Sequence, residues 1–513
     1  MTEAPDIVVG SGPAGISAAT ALLARGRKVL LLDGGKALDP ANETRRAALA
    51  ATPPEAWPAG SAEAWMAPQF ATPPGQVRRY GSDFAMEAGE ATFAELLGWM
   101  GLRASRAAGG LSNLWGSAVL PYRQADMAAW PITADDLAPH YTAVAGFMPV
   151  AGRPDDLEAL LPAFPMQGRK GLTPAVQAEA LLARLARARE RLAQLGLTAG
   201  AARQAVDLGC HRCGLCLHGC PYGLIWSARD QLARLRASPA LTYRPGAILT
   251  RFEEGPDGVT LHLAGGESLT APRVFLGAGV LESARIILAS LPLLGGLDLR
   301  DSQHAFLPML HRWRNARRPD KGRFHTLPQI FLELDAPDIS AHLVHAQVYA
   351  WNEFYAPELI ANYARRLPGS APLFRALSRR LMVAQLFLHS DHSHRIGLRL
   401  ARDGRLLPSL DENAAMFPTL KAAAARIGKA IGQTGLLPLT FAVRPGAPGS
   451  SFHVGASLPM NRTPKGAESD PLGRPAGLAR VHVVDASVLP AIPATTITFP
   501  VMANAHRIGT LAG

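Results

Sequence analysis

The feature that most constrains the fold is a strand–turn–helix–strand unit within residues 6–33. Apolar residues 6–9 predict a strand, the small residues 16–24 predict a helix, and residues 28–32 predict a second strand that ends at Asp33. The turn between the first strand and the helix reads Gly-Ser-Gly-Pro-Ala-Gly, so a GxGxxG motif lies where a βαβ unit needs it. This combination is typical of a Rossmann-like, dinucleotide-binding α/β domain.

Each position of this turn has a mechanical reason for its residue type. Gly10 makes the tight turn, Gly12 lets the backbone approach a pyrophosphate, and Gly15 lets the helix and the strand pack closely. The helix N-terminus attracts the phosphates, and Asp33 is placed to accept hydrogen bonds from ribose hydroxyls. The predicted cofactor-binding residues are therefore Gly10, Gly12, Pro13, Ala14, Gly15 and Asp33. The motif alone does not distinguish FAD from NAD.

The C-terminal residues predict a second half of the same site. Residues 481–484 form a predicted strand that ends at Asp485, and residues 499–510 are predicted to be helical after a proline-rich turn. Thr498 immediately precedes this helix. The N-terminus of such a helix can face the pyrimidine ring of a flavin and stabilise negative charge there.

Residues 483–490 resemble the terminal strand of the glucose–methanol–choline (GMC) oxidoreductases, and residues 452–460 resemble their active-site segment. Further similar segments lie at residues 109–116, 130–141, 274–285 and 470–477. The resemblance implies an FAD-binding domain assembled from both ends of the chain, plus a substrate domain, in an enzyme acting on CH–OH donors. It also implies flavin-binding residues at Gly110, Ser112, Asn113, Ala278, Asp485 and Thr498. Leu114 stands where some relatives attach FAD through a histidine, so non-covalent FAD is expected.

His453 matches the catalytic base of that family. A histidine suits this role because its ordinary pKa lies near neutral, so it can take the hydroxyl proton while hydride passes to the flavin. The alternative is a hydrogen-bonded structural histidine. The family pairs the base with a second histidine or asparagine near the start of the last helix, and Thr496 occupies that position here. We therefore expect His453 and Thr496 to be the catalytic residues, with a departure in how the substrate hydroxyl is held.

All four cysteines lie within eleven residues, at Cys210, Cys213, Cys216 and Cys220, and a proline follows. The spacing C-x2-C-x2-C-x3-C-P is that of bacterial ferredoxins and predicts an iron–sulfur cluster, with zinc or no cofactor as the alternatives. No remote cysteine is present. Either all four ligate a [4Fe–4S] cluster, which we favour, or three hold a [3Fe–4S] core, as in the similar bacterial GMC glucose and fructose dehydrogenases.

A cluster takes one electron at a time, which favours a dehydrogenase over an oxidase that reduces O₂. The leading hypothesis is an FAD-dependent dehydrogenase that oxidises a hydroxyl of a sugar, a glycan-linked compound or another alcohol. Its electrons would leave through the cluster to a cytochrome, quinone or ferredoxin. The alternatives are a ferredoxin-fed flavin reductase of a C=C or carbonyl group, and an electron-transfer subunit.

These motifs divide the chain into five segments. Residues 1–150, 230–300 and 446–513 are expected to form the FAD-binding part, residues 151–229 the iron–sulfur cluster segment, and residues 301–445 an α+β substrate domain. Alternation of polar and apolar residues at 329–334 and 394–400 predicts an antiparallel sheet in the substrate domain. Substrate contact or a surface position is expected for three histidines, with a metal site as the alternative: His389, His392 and His394.

Composition bears on the partners. The net charge of +11 comes from scattered arginines without interleaved aromatics, which argues against nucleic acid and leaves an anionic substrate or membrane surface as alternatives. Residues 373–382 form a basic amphipathic stretch, expected to be a core-facing helix, with peripheral membrane contact as the alternative. The N-terminal residues show no signal-peptide pattern. We therefore expect a cytoplasmic protein, or one at the inner face of the membrane if the basic stretch docks there.

Overall fold

The computed structural model describes residues 4–66, 83–86, 100–313, 324–352 and 369–513. The βαβ unit opens a parallel sheet of five strands: β1 (Asp6–Val9), β2 (Val29–Asp33), β4 (Leu241–Pro245), β8 (Val274–Leu276) and β19 (Val481–Val483). Their order is β19–β8–β1–β2–β4, so the last strand lies next but one to the first. Strands β1, β8 and β19 are buried along their whole length, as expected of a parallel sheet covered on both faces.

The last helix of the chain packs on the first. Helix α11 (Thr498–Leu511) lies between α1 (Pro13–Ala24) and α4 (Ala134–Ala145). The approach of α11 to α1 is close because Gly509 faces the backbone of Ala18. Small residues at a helix crossing let the two backbones come together. The two ends of the chain therefore form one layer over the parallel sheet.

Two antiparallel sheets lie beside the parallel one. The first is a three-stranded meander of β5 (Leu249–Glu254), β6 (Val259–Leu263) and β7 (Ser268–Ala271). The second has four strands in the order β15–β14–β9–β18, namely β15 (Leu406–Asp411), β14 (Arg395–Leu400), β9 (Leu297–Asp301) and β18 (Val454–Gly455). Apolar residues of both sheets belong to the same core as those of the parallel sheet.

A third antiparallel sheet has a core of its own. It has the order β16–β10–β13–β12–β11–β3, and β17 pairs with β10. The strands are β3 (Leu197–Ala201), β10 (His304–His311), β11 (Ile330–Leu334), β12 (Val344–Ala350), β13 (Leu381–Phe387), β16 (Leu436–Pro438) and β17 (Arg444–Pro445). Alternate residues bury an apolar face against α6 (Val176–Ala193) and α10 (Met416–Gly432). Because side chains alternate along a strand, the polar residues of these strands share the opposite face.

The remaining described α-helices are shorter. They are α2 (Pro40–Ala50), α3 (Ser61–Met66), α5 (Leu157–Leu160), α7 (Ala228–Leu235), α8 (Val280–Ser290) and α9 (Ala371–Ser378). The helix expected within residues 373–382 ends at Ser378. Its residues Leu373 and Leu377 are exposed, whereas Phe374 packs on Trp351, so only part of the apolar face that we expected to be buried is covered. No helix among the described residues is long and apolar enough to cross a bilayer.

The fold class predicted from the sequence is confirmed. The parallel sheet takes strands from both ends of the chain, and a separate antiparallel sheet covers the site. The predicted strand at 329–334 is β11 of the seven-stranded sheet, whereas the one at 394–400 is β14 of the four-stranded sheet. The helix predicted at 499–510 is α11.

We predict that Gly509→Ala destabilises the protein and that Gly432→Ala does not. A methyl group at Gly509 would lie 2.8 Å from the carbonyl oxygen of Ala18, so α1 and α11 would have to move apart. Overpacking of this kind costs about 1–3 kcal/mol. Gly432 ends α10 with nothing within 4 Å of the added methyl, so alanine there should stabilise by up to about 1 kcal/mol. Urea denaturation measures the stability of both variants. Equal denaturation midpoints for Gly509→Ala and Gly432→Ala would contradict the close packing of α1 on α11.

Candidate functional site

Two glycines of the turn between β1 and α1, Gly10 and Gly15, leave no room for a side chain. Gly10 has a φ of 96°, and a methyl group there would overlap the backbone that follows β8. A methyl group at Gly15 would overlap the carbonyl oxygen of Gly10. Gly12, in contrast, has nothing within 4 Å, and no side chain caps α1, which begins with Pro13 and the buried Ala14. An open space before an uncapped helix N-terminus is what a pyrophosphate requires.

Asp33 holds this turn against the end of β2. Its carboxylate accepts hydrogen bonds from the backbone nitrogen of Ser11 (3.1 Å), the hydroxyl of Ser11 (2.7 Å), the backbone nitrogen of Gly35 (3.0 Å) and the hydroxyl of Tyr243 (3.2 Å). Burial raises the pKa of Asp33, and the hydrogen bonds from Ser11 oppose this shift. The acid thus lies at the end of the second strand, where a dinucleotide-binding fold places its ribose contact.

The segment Gly110–Asn113 forms a second wall beside the turn. A methyl group at Gly110 would lie 3.4 Å from the Cα atom of Gly12, so the two glycine-rich segments meet backbone to backbone. The hydroxyl of Ser112 accepts a hydrogen bond of 2.9 Å from the backbone nitrogen of Ala228 at the start of α7. Asn113 donates to the carbonyl oxygen of Gly110 at 2.8 Å. These bonds fix the shape of the segment that resembles the flavin-contacting loop.

Asp485 joins the C-terminal strand to the turn after β8. Its carboxylate accepts hydrogen bonds from the backbone nitrogens of Gly279 (3.0 Å) and Ser487 (3.0 Å) and from the hydroxyl of Ser283 (2.5 Å). Burial raises its pKa, and the bond from Ser283 opposes the shift. Ala278 lies in the same turn, between β8 and α8. The side chain of Asp485 is thus engaged by the protein and anchors the turn that carries Ala278.

One cavity of about 650 Å³ connects the segments that the sequence singled out. Four segments line it: the turn between β1 and α1 (the nucleotide turn), the Gly110–Asn113 segment, the active-site segment of residues 452–460, and the start of α11. The lining residues from these segments are Pro13, Ser112, His453, Thr496 and Thr498. Strands β10, β12 and β13 of the seven-stranded sheet supply much of the remaining wall. A volume of this size accommodates a ring system together with a small ligand.

Thr496 is held by the protein at this wall. Its hydroxyl oxygen accepts a hydrogen bond of 2.8 Å from the backbone nitrogen of Leu120, and Thr496 is 2% exposed. Thr498 begins α11, where no side chain caps the helix, so the first N–H groups of α11 are available to a ligand. The structure thus gives Thr496 a part in holding the Leu120 segment against the start of α11.

His453 lies in a backbone bend with two residues at positive φ. Phe452 has a φ of 63° and Ala456 a φ of 57°, which side-chain-bearing residues rarely adopt. The backbone nitrogen of His453 donates to the hydroxyl of Ser451 at 2.9 Å, and Ser451 in turn donates to the buried carboxylate of Asp301. The hydrogen bonds through Ser451 to Asp301 stabilise this strained backbone.

The imidazole of His453 is neutral. It stacks on Phe387 with ring centroids 4.8 Å apart and an interplanar angle of 21°. Its Nδ1 atom is buried and has no hydrogen-bond partner among the described residues. Burial, with smaller contributions from His345 and His304, lowers the pKa of His453 to about 3. A neutral imidazole is the form that can accept a proton.

The polar face of the seven-stranded sheet was not predicted from the sequence. Four polar side chains of this face line the cavity: His304, Gln347, Tyr349 and Gln385. Behind them, Glu333 and His345 form a fully buried pair at 2.6 Å. The signal was present, because polar residues alternate with apolar ones along these strands, but no family motif marks this part of the chain.

The four cysteines line one small cavity, which His211 and Tyr222 help to close: Cys210, Cys213, Cys216 and Cys220. Four thiols that converge on one enclosed space can hold a metal ion or an iron–sulfur core.

The cysteine cavity adjoins the large one. The short turn Cys216–His218 connects them, since Cys216 lines the small cavity whereas Leu217 and His218 line the large cavity. A group held by the cysteines would thus be separated from the large cavity by one turn of chain.

The histidines near residue 390 lie elsewhere. His389 stacks on His342 at 3.6 Å, and Asp391 lies 3.3 Å from His342. Within the described residues, His342, His389 and Asp391 come close enough together to hold a metal ion. His392 and His394 do not belong to this group. None of the three predicted histidines is among the residues lining the 650 Å³ cavity.

Comparison with known proteins agrees with this architecture. Residues 6–195 match the FAD binding domain family, and residues 419–505 match the GMC oxidoreductase family. The chain is thus an FAD-dependent oxidoreductase that acts on CH–OH donors, and its C-terminal part is similar to the GMC oxidoreductases. The crystal structure of pyridoxine 4-oxidase from Mesorbium loti is similar in fold, with a TM-score of 0.61 and 16% identity over 99% of this chain and 98% of that chain. No curated protein matches the chain in sequence.

We predict different outcomes for two neighbouring glycines. Gly15→Ala forces a methyl group into the Gly10 carbonyl, so it should lower both the melting temperature of the apoprotein and the FAD content. Gly12→Ala meets no protein atom within 4 Å, so it should leave apoprotein melting unchanged and weaken FAD binding alone. Thermal unfolding of the apoprotein and titration with FAD measure the two effects. Full FAD affinity in Gly12→Ala would show that the pyrophosphate lies elsewhere.

Proposed function

We propose that this protein is a dehydrogenase that oxidises a hydroxyl group of a sugar, a glycan-linked compound or another alcohol, and delivers the electrons to an external acceptor. One observation carries the proposal: His453, a neutral imidazole, shares its cavity with the nucleotide turn and the N-terminus of α11. A base at this position can take the hydroxyl proton while hydride leaves the same carbon. The proposed acceptor is a cytochrome, a quinone or a ferredoxin.

The described residues fit FAD. The space in front of Gly12 and the uncapped start of α1 suit the pyrophosphate, and Asp33 suits the ribose. The residues proposed to contact the rest of the molecule are Gly110, Ser112, Asn113, Ala278, Asp485 and Thr498, together with Gly10, Pro13, Ala14 and Gly15 around the phosphates. Bound FAD supplies the hydride acceptor. Because Leu114 replaces the attaching histidine of some relatives, we propose non-covalent binding.

The chain's own residues prepare the proton transfer. Stacking on Phe387 fixes the plane of the His453 ring, and the bonds through Ser451 to Asp301 fix its backbone. Burial keeps the ring neutral. The hydroxyl proton moves to a ring nitrogen of His453, the C–H bond gives up its two electrons as hydride, and a carbonyl remains. This hydride would pass to bound FAD, and His453 would carry the positive charge of the proton that it takes.

We further propose that the four cysteines bind an iron–sulfur cluster that carries electrons out, [4Fe–4S] in preference to [3Fe–4S]. The convergence of Cys210, Cys213, Cys216 and Cys220 on one cavity, and their ferredoxin-like spacing along the chain, support this assignment. The single turn Cys216–His218 between the two cavities would keep the path from flavin to cluster short. In this proposal residues 151–229 serve the cluster, residues 301–445 the substrate, and residues 1–150, 230–300 and 446–513 the flavin.

We predict that His453→Ala retains FAD and loses alcohol-driven flavin reduction by about 10² to 10⁴, the usual contribution of a general base. Anaerobic stopped-flow bleaching of the flavin by a panel of sugars and alcohols measures this. His262→Ala, on strand β6 of the remote meander, is the matched control and should behave as the wild type. Near wild-type bleaching in His453→Ala would refute the base assignment. A wild-type flavin that only reduced ferredoxin can bleach would favour a reductase.

We predict that anaerobically purified protein contains iron and acid-labile sulfide in stoichiometric amounts. Cys213→Ser should strongly slow turnover with a large one-electron acceptor, because the electrons reach this acceptor through the cluster. It should slow bleaching of the flavin by substrate much less, because that step does not need the cluster. Leu208→Ser changes an exposed residue close to the cysteine run and is the matched control.

Two results would contradict the cluster proposal. Stoichiometric zinc without sulfide would remove the relay, and with it the reason to prefer a dehydrogenase over an oxidase. Equal loss of both half-reactions in Cys213→Ser, together with loss of FAD, would show that the cysteine segment has a structural role only.

A further inference from the structure

A row of side chains crosses the seven-stranded sheet directly beneath His453. In the strand register, His304 of β10 pairs with Phe387 of β13, Phe387 pairs with His345 of β12, and His345 pairs with Glu333 of β11. The His453 ring stacks on Phe387, which lies between His304 and His345 in the row. Phe387 therefore has imidazoles on three sides, with centroid distances of 4.8 Å to His453, 5.9 Å to His345 and 6.0 Å to His304.

The two sheet histidines differ in what they face. His345 is fully buried, bonds to Glu333 at 2.6 Å and is not among the residues lining the cavity. His304 lines the cavity together with His453. His304 is 4% exposed, and its Nδ1 atom has no hydrogen-bond partner among the described residues. A buried polar atom without a partner is costly, so a ligand that supplies the missing hydrogen bond is favoured there.

The backbone at Gly446 leaves room for the His304 ring. A methyl group at Gly446 would overlap the edge of the His304 imidazole, so a side chain there would displace the ring. The backbone on both sides is fixed, because Gly446 donates to the His304 carbonyl at 2.9 Å and Gln303 donates to the Gly446 carbonyl at 2.8 Å. Burial lowers the pKa of His304 to about 4, so its ring is neutral, with one donor and one acceptor nitrogen.

Thr496, the residue expected to supply the second polar group, is already hydrogen-bonded to the protein. Thr496 already accepts a hydrogen bond from the backbone nitrogen of Leu120 at 2.8 Å, and its hydroxyl lies against that segment. A hydroxyl substrate at His453 needs a second contact to point its C–H bond at the hydride acceptor. His304 lines the cavity on the other side of Phe387 from His345, and its Nδ1 atom has no hydrogen-bond partner among the described residues.

We infer that His304 is a second catalytic residue, which forms a hydrogen bond to the reacting hydroxyl while His453 takes its proton. The sheet of the substrate domain, and not the last helix, thus supplies the partner of the base. The inference rests on the proposed oxidation of a hydroxyl group at His453. The polar neighbours Gln347 and Gln385, which face each other across β12 and β13, extend the same wall and suit a substrate with several hydroxyl groups.

The test compares His304→Leu, His304→Asn and the control His262→Ala as FAD-loaded proteins, with a sugar or alcohol that bleaches wild-type flavin. His304→Leu should lower the rate of flavin reduction at saturating substrate by about 10- to 100-fold, the usual effect of losing a buried hydrogen bond. His304→Asn, which keeps a hydrogen-bonding amide, should recover a large part of that rate. FAD content and melting temperature should match the wild type in both variants.

The outcomes separate the two proposals. Wild-type rate and substrate affinity in His304→Leu would overturn the role of His304 and leave His453 as the base. Equal loss in His304→Leu and His304→Asn, with lower FAD content or melting temperature, would show that the ring only supports the sheet and would also overturn it. Failure of every hydroxyl compound to bleach the wild-type flavin would overturn the proposed function, and this inference with it.

Discussion

The structure depends on a backbone contact among three glycines. Gly10 and Gly15 meet in the nucleotide turn, and Gly277 after β8 lies against both, since a methyl group on Gly277 would be 2.9 Å from the nitrogen of Gly15. The same methyl would be 3.1 Å from the side chain of Val484 in the C-terminal segment. The first strand, the first helix, the returning strand and the last strand can therefore meet at one point only if these residues have no side chains.

This contact determines where the far end of the chain goes. Because β19 pairs with β8, Asp485 reaches the turn at Gly279, and α11 then runs back across α1. The N-terminus of α11 thus arrives at the large cavity together with the nucleotide turn. The FAD site is complete only when both ends of the chain have folded, so bound FAD stabilises the pairing of the ends by mass action.

The sequence predicted those parts of the structure that local patterns determine. The βαβ unit, α11 and strand β11 follow from hydrophobic periodicity, and the convergence of the cysteines follows from their short spacing. The membership of β14 in the four-stranded sheet could not be predicted, because it depends on pairing with β9, about a hundred residues earlier in the chain. The exposed leucines of α9 were also missed, since an amphipathic pattern does not show which face finds a partner.

The candidate catalytic residues also combine features that local motifs predict with features that depend on the tertiary fold. The position of His453 followed from its motif, but its neutral state depends on burial, and its stacking on Phe387 depends on a strand some 65 residues earlier in the chain. His304 has no motif at all, and its place beside His453 follows only from the pairing of β10 with β13. Thr496 was identified by its position, yet its bond to Leu120 requires the tertiary fold. Register between distant strands is therefore the information that a single sequence does not contain.

In the proposed reaction, the proton and the electrons of the substrate would leave along different walls of the cavity. The proton would go to His453, whose ring stacks on Phe387 of the seven-stranded sheet. The electrons would leave past a different segment, the Cys216–His218 turn, which touches both the large cavity and the cysteine cavity. A cluster there would gain negative charge with each electron that it takes up, and a positive charge close by would oppose the release of that electron. Separate walls for the proton and the electrons would keep the positive charge on the proposed base away from the proposed route by which single electrons leave.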